Sequence, residues 1–265
     1  MQESLRTTYA SCPLCDATEL RHVRSEDCTR HRLYRGLLSP RIDWMTCGGC
    51  GHVFTRGYFN EDGLRILFQG SGSSANPAAI PLAEMEPRRD RWGSTIARIA
   101  PFLSQGRWLD VGAGAGMLLR VAEELGYEVS GTDLRPDTVA ALRGEGFTMH
   151  QCAIEDVPGD GDYDIVSLCD VLEHMPFPRR GLAAVARLLK PSGFVFVSLP
   201  NYDSPLWRAW DREGANPYWA EIEHYHNFSR QRLHDLLRTH GFDPVQTWIS
   251  PRYRGCIDVL AARRP

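Results

Sequence analysis

Lysine is almost missing from this chain: Lys190 stands alone among thirty basic residues, and the others are arginines. An excess of charge of either sign is missing too, since 33 acids leave a formal net charge of −3. Without a strong positive field, a large nucleic-acid footprint is disfavoured. The arginine bias suits carboxylate and phosphate recognition, but a GC-rich genome gives the same bias without any ligand. No apolar run is long enough to span a bilayer. The first residues, Met1 to Arg6, lack the basic-then-apolar pattern of a signal peptide. A cytoplasmic protein with no membrane partner is therefore expected, with its eight cysteines mostly reduced and used for metal, packing or chemistry rather than disulfides.

What is present is an ordinary globular composition of 43% hydrophobic and 24% charged residues over 265 positions. That suffices for one large domain, or for a domain plus a small module. The chain is organised around Asp110-Val111-Gly112-Ala113-Gly114-Ala115-Gly116. A hydrophobic run ends in an acid, three glycines follow at alternate positions, and residues 117–125 carry helical apolar spacing. The pattern predicts a strand, a tight turn and a helix whose first N–H groups face a ligand. A dinucleotide site would want a third glycine where Met117 stands.

Cys12-Pro13-Leu14-Cys15 and Cys47-Gly48-Gly49-Cys50 form two C-x-x-C knuckles within residues 1–57 and resemble a zinc ribbon. Each turn aims two thiolates at one point. Four complete a closed tetrahedral Zn²⁺ site, which substitutes for a core that so few residues cannot build. Cys28 is left as a spare thiol, and His22, His31 and His52 are not needed as ligands. Residues 1–60 hold eight arginines against six acids, no strong basic patch. Residues 27–38 between the knuckles are read as a short helix or strand excursion.

Residues 58–87 read as a connector with turn chemistry in Gly70-Ser71-Gly72-Ser73, either a lid or a passive linker. Residues 88–102 predict an amphipathic helix with Trp92, Ile96, Ile99 and Phe102 on one face. A second strand ends in Asp133, about 20 residues past the glycines, where a carboxylate can bond both hydroxyls of a ribose. Its neighbour Leu134 belongs to the same stretch. A helix over 136–145, a short strand at 147–150, a strand at 163–169 ending in Cys169-Asp170, a helix over 181–189, a turn at 190–193 and a buried strand at 193–201 complete a β/α alternation. Residues 202–220 read as an irregular aromatic insertion, a substrate wall or plain packing. In Glu221-Ile222-Glu223-His224-Tyr225-His226, the histidines, tyrosine and glutamates can supply a general base and its orienting partner. His224 is the first candidate, with His226 and Tyr225 behind it. His174 is read as organising the crossover after Glu173. Ser229 caps a helix over 230–240, and two closing strands follow at 244–249 and 256–261.

The acid before G-x-G-x-G, the ribose acid, the strand pattern D-x-V-x-x-x-x-V-L-E-H at 164–174 and the H-x-x-x-F-S segment at 224–229 fall in one frame. Together they resemble the class I S-adenosylmethionine (SAM) methyltransferases over residues 88–265. The resemblance implies an α/β fold: a doubly wound, mostly parallel seven-stranded Rossmann-like sheet, here with a small N-terminal zinc ribbon. It implies that Asp110, Gly112, Ala113, Gly114 and Gly116 hold the amino-acid part of SAM, that Asp133 holds the ribose, and that Leu134 is also a cofactor-binding residue. Ala153 and Ile154 would hold the adenine, and Cys169 and Asp170 would lie near the methionine part. Bacterial zinc-ribbon methyltransferases include deoxysugar C-methyltransferases, which carry a further C-terminal domain, and zinc-containing rRNA guanine methyltransferases share the architecture. The expected activity is methyl transfer from SAM, leaving S-adenosylhomocysteine, to a nucleophile on a small molecule or carrier-bound metabolite of bacterial secondary or sugar metabolism. The alternatives are a peptide, protein or RNA held by the ribbon, or a noncatalytic SAM-binding partner module; a homodimer is left open.

Overall fold

Antiparallel pairing builds the N-terminal part of the structure, a computed structural model that describes residues 5–68 and 82–265. The glycine-serine linker at 70–77 lies outside the described residues. Strand β1 (Arg6–Thr8) is followed by β2 (Leu20–Asp27), β3 (Arg41–Cys47), β4 (Val53–Thr55) and β5 (Gly57–Phe59), then by helix α1 (Glu61–Leu67). β1 pairs with β5, while β2, β3 and β4 form an antiparallel meander. The gap between the cysteine pairs is filled by β2, β3 and a turn-rich crossing in which the Cys28 thiol is buried and donates to the Ser39 carbonyl at 3.4 Å.

Helix α2 covers Leu82–Ile99, starting earlier and ending sooner than the apolar spacing predicts. Pro101 supplies the reason for the early stop: it offers no N–H and disfavours helical geometry in the residue before it. Phe102 therefore falls in the turn beyond and is 42% exposed, whereas Ile96 and Ile99 are buried. Then come β6 (Arg107–Val111), α3 (Met117–Glu124), β7 (Glu128–Thr132), α4 (Pro136–Gly144), β8 (Thr148–His150), β9 (Tyr163–Cys169), α5 (Pro178–Leu188) and β10 (Leu189–Pro200). The expected turn at 190–193 is absorbed into β10 as a register shift between Leu189 and Phe194, pinned where Lys190 Nζ donates to both Asp164 oxygens at 2.9 and 2.8 Å. The 202–220 stretch is not irregular. It holds helix α6 (Pro205–Arg212), with Ser204 accepting from the Trp207 N–H at 3.0 Å and Pro205 in the first turn, followed by a 3-10 turn at Pro217–Trp219. Strand β11 (His226–Asn227), helix α7 (Arg230–Thr239) and strands β12 (Phe242–Ile249) and β13 (Cys256–Arg263) end the chain.

Seven strands make the main sheet, in the order β12-β13-β10-β9-β6-β7-β8. The five from β10 to β8 run parallel, and β13 is antiparallel to both of its neighbours. The chain winds from β6 through β7 to β8, then crosses back to lay β9 on the other side of β6. The crevice opens at that reversal, outside the C-terminal ends of β6 and β9.

β11 does not join this sheet. It pairs antiparallel with β4, His226 opposite Phe54 and Asn227 opposite Val53, and so becomes the fourth strand of the N-terminal sheet. A shared core reinforces the tie. Trp44, Ile42 and Val53 from the N-terminal part pack with Trp207, Trp219, Ile222 and Tyr225. Trp44 Nε1 donates to the Trp219 carbonyl at 2.9 Å, and Arg6 donates to the carbonyls of Gly57 and Ile222, both at 2.8 Å. Trp207 and Trp219 are therefore interior packing, while Tyr218 faces the crevice. Among the described residues no helix is long and apolar enough to cross a membrane.

Candidate active site and metal centre

The three glycines of the central turn all adopt positive φ, 66°, 55° and 70° at Gly112, Gly114 and Gly116, which side chains resist. Space adds a second demand at two of them. A Cβ on Gly112 would lie 2.8 Å from Val171 Cγ2, and one on Gly116 would collide with Leu142. Gly116 caps α3, so Met117 enters the helix where a dinucleotide turn would still need glycine. Ala113 N–H bonds the Thr132 carbonyl at 3.0 Å, fixing the turn to the end of β7.

That end delivers Asp133. Its carboxylate accepts from Gly114 N–H at 3.1 Å, from Arg135 N–H and Nε at 2.9 Å each, and from Arg135 Nη2 at 2.8 Å. Asp110 sits deeper, its Oδ1 accepting from Ser167 Oγ at 2.6 Å while Ser167 accepts from Trp108 Nε1 at 2.9 Å. Burial pushes the Asp110 carboxyl up to about 7, against the opposing pull of the Ser167 hydrogen bond and of Arg252.

Gly112, Asp133, Leu134 and Asp170 line a cavity of about 1090 Å³. That volume exceeds the roughly 300–1,000 Å³ of an ordinary small-molecule site, leaving room for a cofactor and an acceptor together. Leu134, 70% exposed, is the open lip. Asp170 is held at φ 56°, a conformation rare outside glycine, by its N–H bond to the Ser198 carbonyl at 2.8 Å and by Arg252. Arg252 reaches Asp170 Oδ2 at 2.8 Å and Ser198 Oγ at 2.7 Å, with its guanidinium 4.4 Å from the Trp92 ring centre. Its side chain is only 9% exposed. Nothing local in the sequence marks Arg252; it lies between β12 and β13 and meets Asp170 only when the sheet closes.

Several expectations need correction. Ile154, 2% exposed, sits in the main core with Val157, Leu182 and Val185, because the 3-10 turn at Ile154–Asp156 rotates it inward. Its side chain faces the core, and neither Ile154 nor Ala153 is among the residues that line the cavity. Cys169 packs toward the Ile96–Trp108 cluster, and burial raises its thiol well above the ordinary range. Tyr225 is buried in the aromatic core, its hydroxyl accepting from Phe59 N–H at 3.4 Å, away from the cavity. His226 is withdrawn as well. Its Nδ1 meets His52 Nε2 at 3.0 Å and its Nε2 meets the Met175 carbonyl at 2.9 Å, and burial pulls its imidazolium down to about 3. Pairing with β4 fixes it there.

His224, alone of those three, lines the cavity, and it meets two residues from the far side of the crossover. Its ring stands edge to face with His174, centres 4.6 Å apart, and burial with the nearby His174 and His31 keeps it neutral. Glu173, 1% exposed, aims a carboxylate with no hydrogen-bond partner into the same corner. Tyr218, Tyr253, Glu221 and Glu223 line the same cavity. Glu221 pairs with His31 at 2.8 Å, and Glu223 with Arg32 at 3.1 Å.

At the N-terminal knuckles the four sulfurs of Cys12, Cys15, Cys47 and Cys50 lie within 4.8 Å of one another. Cys12 and Cys50 are 3.7 Å apart, and Cys15 and Cys47 3.5 Å. Tetrahedral Zn²⁺ with bonds of about 2.3 Å sets its sulfurs about 3.8 Å apart, so the donor set fits that ion. Burial alone would raise the Cys47 thiol, but N–H groups such as that of Cys50 bring it down to about 7.

The methyltransferase domain family matches residues 85–247. The ubiquinone biosynthesis O-methyltransferase of Thiobacillus denitrificans is 36% identical over 129 residues, 46% of this chain and 54% of that protein. That of Erwinia tasmaniensis is 36% identical over 135 residues, 48% and 54% of the two chains. The chain thus spans about half the length of the curated relatives it matches. Among solved structures, the magnesium protoporphyrin IX methyltransferase of Synechocystis, with bound S-adenosylhomocysteine, superposes with a TM-score of 0.59 at 17% identity, covering 77% of this chain and all of that one. The 1,6-didemethyltoxoflavin N1-methyltransferase of Burkholderia thailandensis gives 0.57 at 20% identity over 82% and 98%. At these identities the likeness is one of fold.

Proposed function

Since the chain belongs to the methyltransferase domain family, we propose that it transfers the methyl group of SAM to a hydroxyl on a small, partly apolar acceptor. The observation that carries this reading is the convergence of Gly112, Asp133 and Asp170 on one cavity at the reversal of the sheet. The glycine turn leaves main chain bare for the amino-acid part of SAM. Asp133 would accept from both ribose hydroxyls, with Arg135 shifting to make room, and Asp110 beneath the turn would ionise against the positive charge of the cofactor. SAM supplies an already activated methyl group, so the protein's task is to align the acceptor in line with the S–CH₃ bond and to remove a proton.

Proton removal is assigned to the corner of Glu173, His174 and His224. Leu64, Phe68, Tyr218 and Tyr253 supply apolar and aromatic wall, which suits a ring or chain bearing the hydroxyl. The choice of oxygen as nucleophile is supported by the names of the ubiquinone biosynthesis O-methyltransferases. Arg32, Leu64 and Phe68 come from the N-terminal part of the chain, so that part helps form the acceptor wall, with zinc on its four cysteines holding it in shape. Residues 1–57 as ribbon, 58–87 as connector and 88–265 as transferase domain remain our division of the chain, with β11 lent back to the ribbon's sheet.

Calorimetry of the zinc-loaded chain with S-adenosylhomocysteine tests the cofactor; saturable one-to-one binding is expected, and no heat would refute the reading. A mass-spectrometric screen of phenolic, sugar and carrier-bound hydroxyl compounds for a gain of one methyl group then identifies the acceptor.

A further inference from the structure

Three observations at the acceptor end of the cavity fit together. The donor atoms of Glu173, His174 and His224 lie within 4.8 Å of one another, at the mutual distances of ligands around one ion. The Glu173 carboxylate has no hydrogen-bond partner on either oxygen although the residue is 1% exposed, and His224 Nδ1 is likewise buried without a partner. An isolated buried carboxylate is costly unless a proton or a cation compensates it. His174 bonds the Glu223 carbonyl through Nδ1 at 3.0 Å. That bond fixes the tautomer and leaves the Nε2 lone pair free, the same outer bond that metal-bound histidines make to a backbone carbonyl.

We infer that Glu173, His174 and His224 hold a divalent transition-metal ion that binds the acceptor's hydroxyl oxygen. Two imidazoles and one carboxylate with open positions suit ions such as Mn²⁺, Fe²⁺ or Zn²⁺ and leave room for a substrate ligand. The inference deepens the proposed function and rests on it for the role of the ion, though not for its binding. On coordination the acceptor's O–H bond breaks and its proton leaves to solvent through the open cavity mouth. The resulting oxyanion then forms the O–CH₃ bond as the S–CH₃ bond breaks, and that electron pair returns to sulfur as the thioether of S-adenosylhomocysteine. The metal thereby does the work otherwise asked of a lone histidine base. The neighbouring trio of His31, Glu221 and Glu223 also clusters, but His31 pairs with Glu221 and Glu223 with Arg32, so its charges are already matched.

The test uses the full chain with its cysteine site filled by zinc, titrated with Mn²⁺ alone. Mn²⁺ is a poor thiolate ion and leaves that site undisturbed. Electron paramagnetic resonance of free Mn²⁺ should show one ion bound per chain. Glu173→Gln and His174→Asn should each weaken binding at least about tenfold, and Glu221→Gln should leave it unchanged. His174 is only half-buried, so its variant answers the question even if Glu173→Gln fails to fold. No Mn²⁺ binding, or binding lost in Glu221→Gln and kept in His174→Asn, overturns the inference. S-adenosylhomocysteine binding is measured on the same samples. Failure there with Mn²⁺ still bound refutes the transferase reading and leaves the metal site standing.

Discussion

Replacing Asp133 by asparagine changes one charge at the centre of the proposed cofactor site and almost nothing in shape. Asp133 is buried and accepts from Gly114 N–H, a bond that keeps the carboxylate oriented when the Arg135 side chain moves aside. A ribose would present two hydroxyl donors to it. A hydrogen bond to a charged group contributes about 1.5–3 kcal/mol and a neutral one about 0.5–1.5 kcal/mol, so each of two bonds loses about 1–1.5 kcal/mol. The sum of about 2–3 kcal/mol corresponds to a 30- to 150-fold rise in Kd for S-adenosylhomocysteine. The Arg135 ion pair is lost as well; Arg135 is 41% exposed but the Asp133 side chain only 4%, and an asparagine keeps one acceptor oxygen for the four N–H donors that now meet two, so the fold loses stability too. Asp133→Asn should therefore melt at a lower temperature than wild type while binding far more weakly, and the affinity is read below that melting temperature. Calorimetry at constant pH, with a thermal melt on the same preparation, reads both. A Kd within threefold of wild type in a folded variant would refute the placement of the ribose on Asp133.

Four other perturbations read different parts of the molecule. The native Asp110 carboxyl, pushed up to about 7, holds a proton that the unfolded chain gives up near pH 4. The sign follows: its contribution is complete below about pH 4 and is lost as pH rises to about 7, of order 4 kcal/mol. Asp110→Asn should flatten that part of the stability-pH curve, and an unchanged slope counts against the buried acid. Arg252→Met leaves Asp170 at positive φ without its partner; denaturant unfolding should show a loss of about 2–3 kcal/mol, below the 3–5 of a fully buried pair because Asp170 is a third exposed. Restoration by the double variant with Asp170→Asn would confirm the coupling. His224→Gln should lower kcat by about 100-fold or more with cofactor affinity unchanged, whereas equal losses in both would point to collapse of the pocket wall. Cys12→Ser should release zinc in a metal assay and lower activity along with the melting temperature, since the N-terminal sheet carries part of the acceptor wall; full activity in a zinc-free chain would separate the two.

The central turn was legible because its constraints are local. Positive φ at three positions, a hydrophobic strand before and a helical stripe after are written within ten residues. The alternation from β6 to β10 is equally local, and the sheet it implies is the sheet observed. The two C-x-x-C knuckles also declare themselves, because each turn carries its own pair of thiols. Boundaries were less clear where two residue types compete, as at Pro101, which ends α2 before Phe102 can join its apolar face.

What the tertiary structure decided is which of several equivalent side chains meet. In the run from 221 to 226, His224 and His226 carry the same chemistry and comparable flanks. Only the pairing of β11 with β4 puts His226 against His52 and leaves His224 in the cavity beside Glu173 and His174. The same contact turns the aromatic stretch near Trp219 into a core shared with Trp44, 175 positions away. Arg252 and Asp170, 82 positions apart, are joined only when β13 closes beside β10. By itself the sequence determined the β/α alternation, the glycine cradle and the thiol pairs, since backbone preference and short-range geometry act over a few residues. The acceptor corner depends on contacts between distant segments, where many sequences satisfy the same local rules and only packing selects among them.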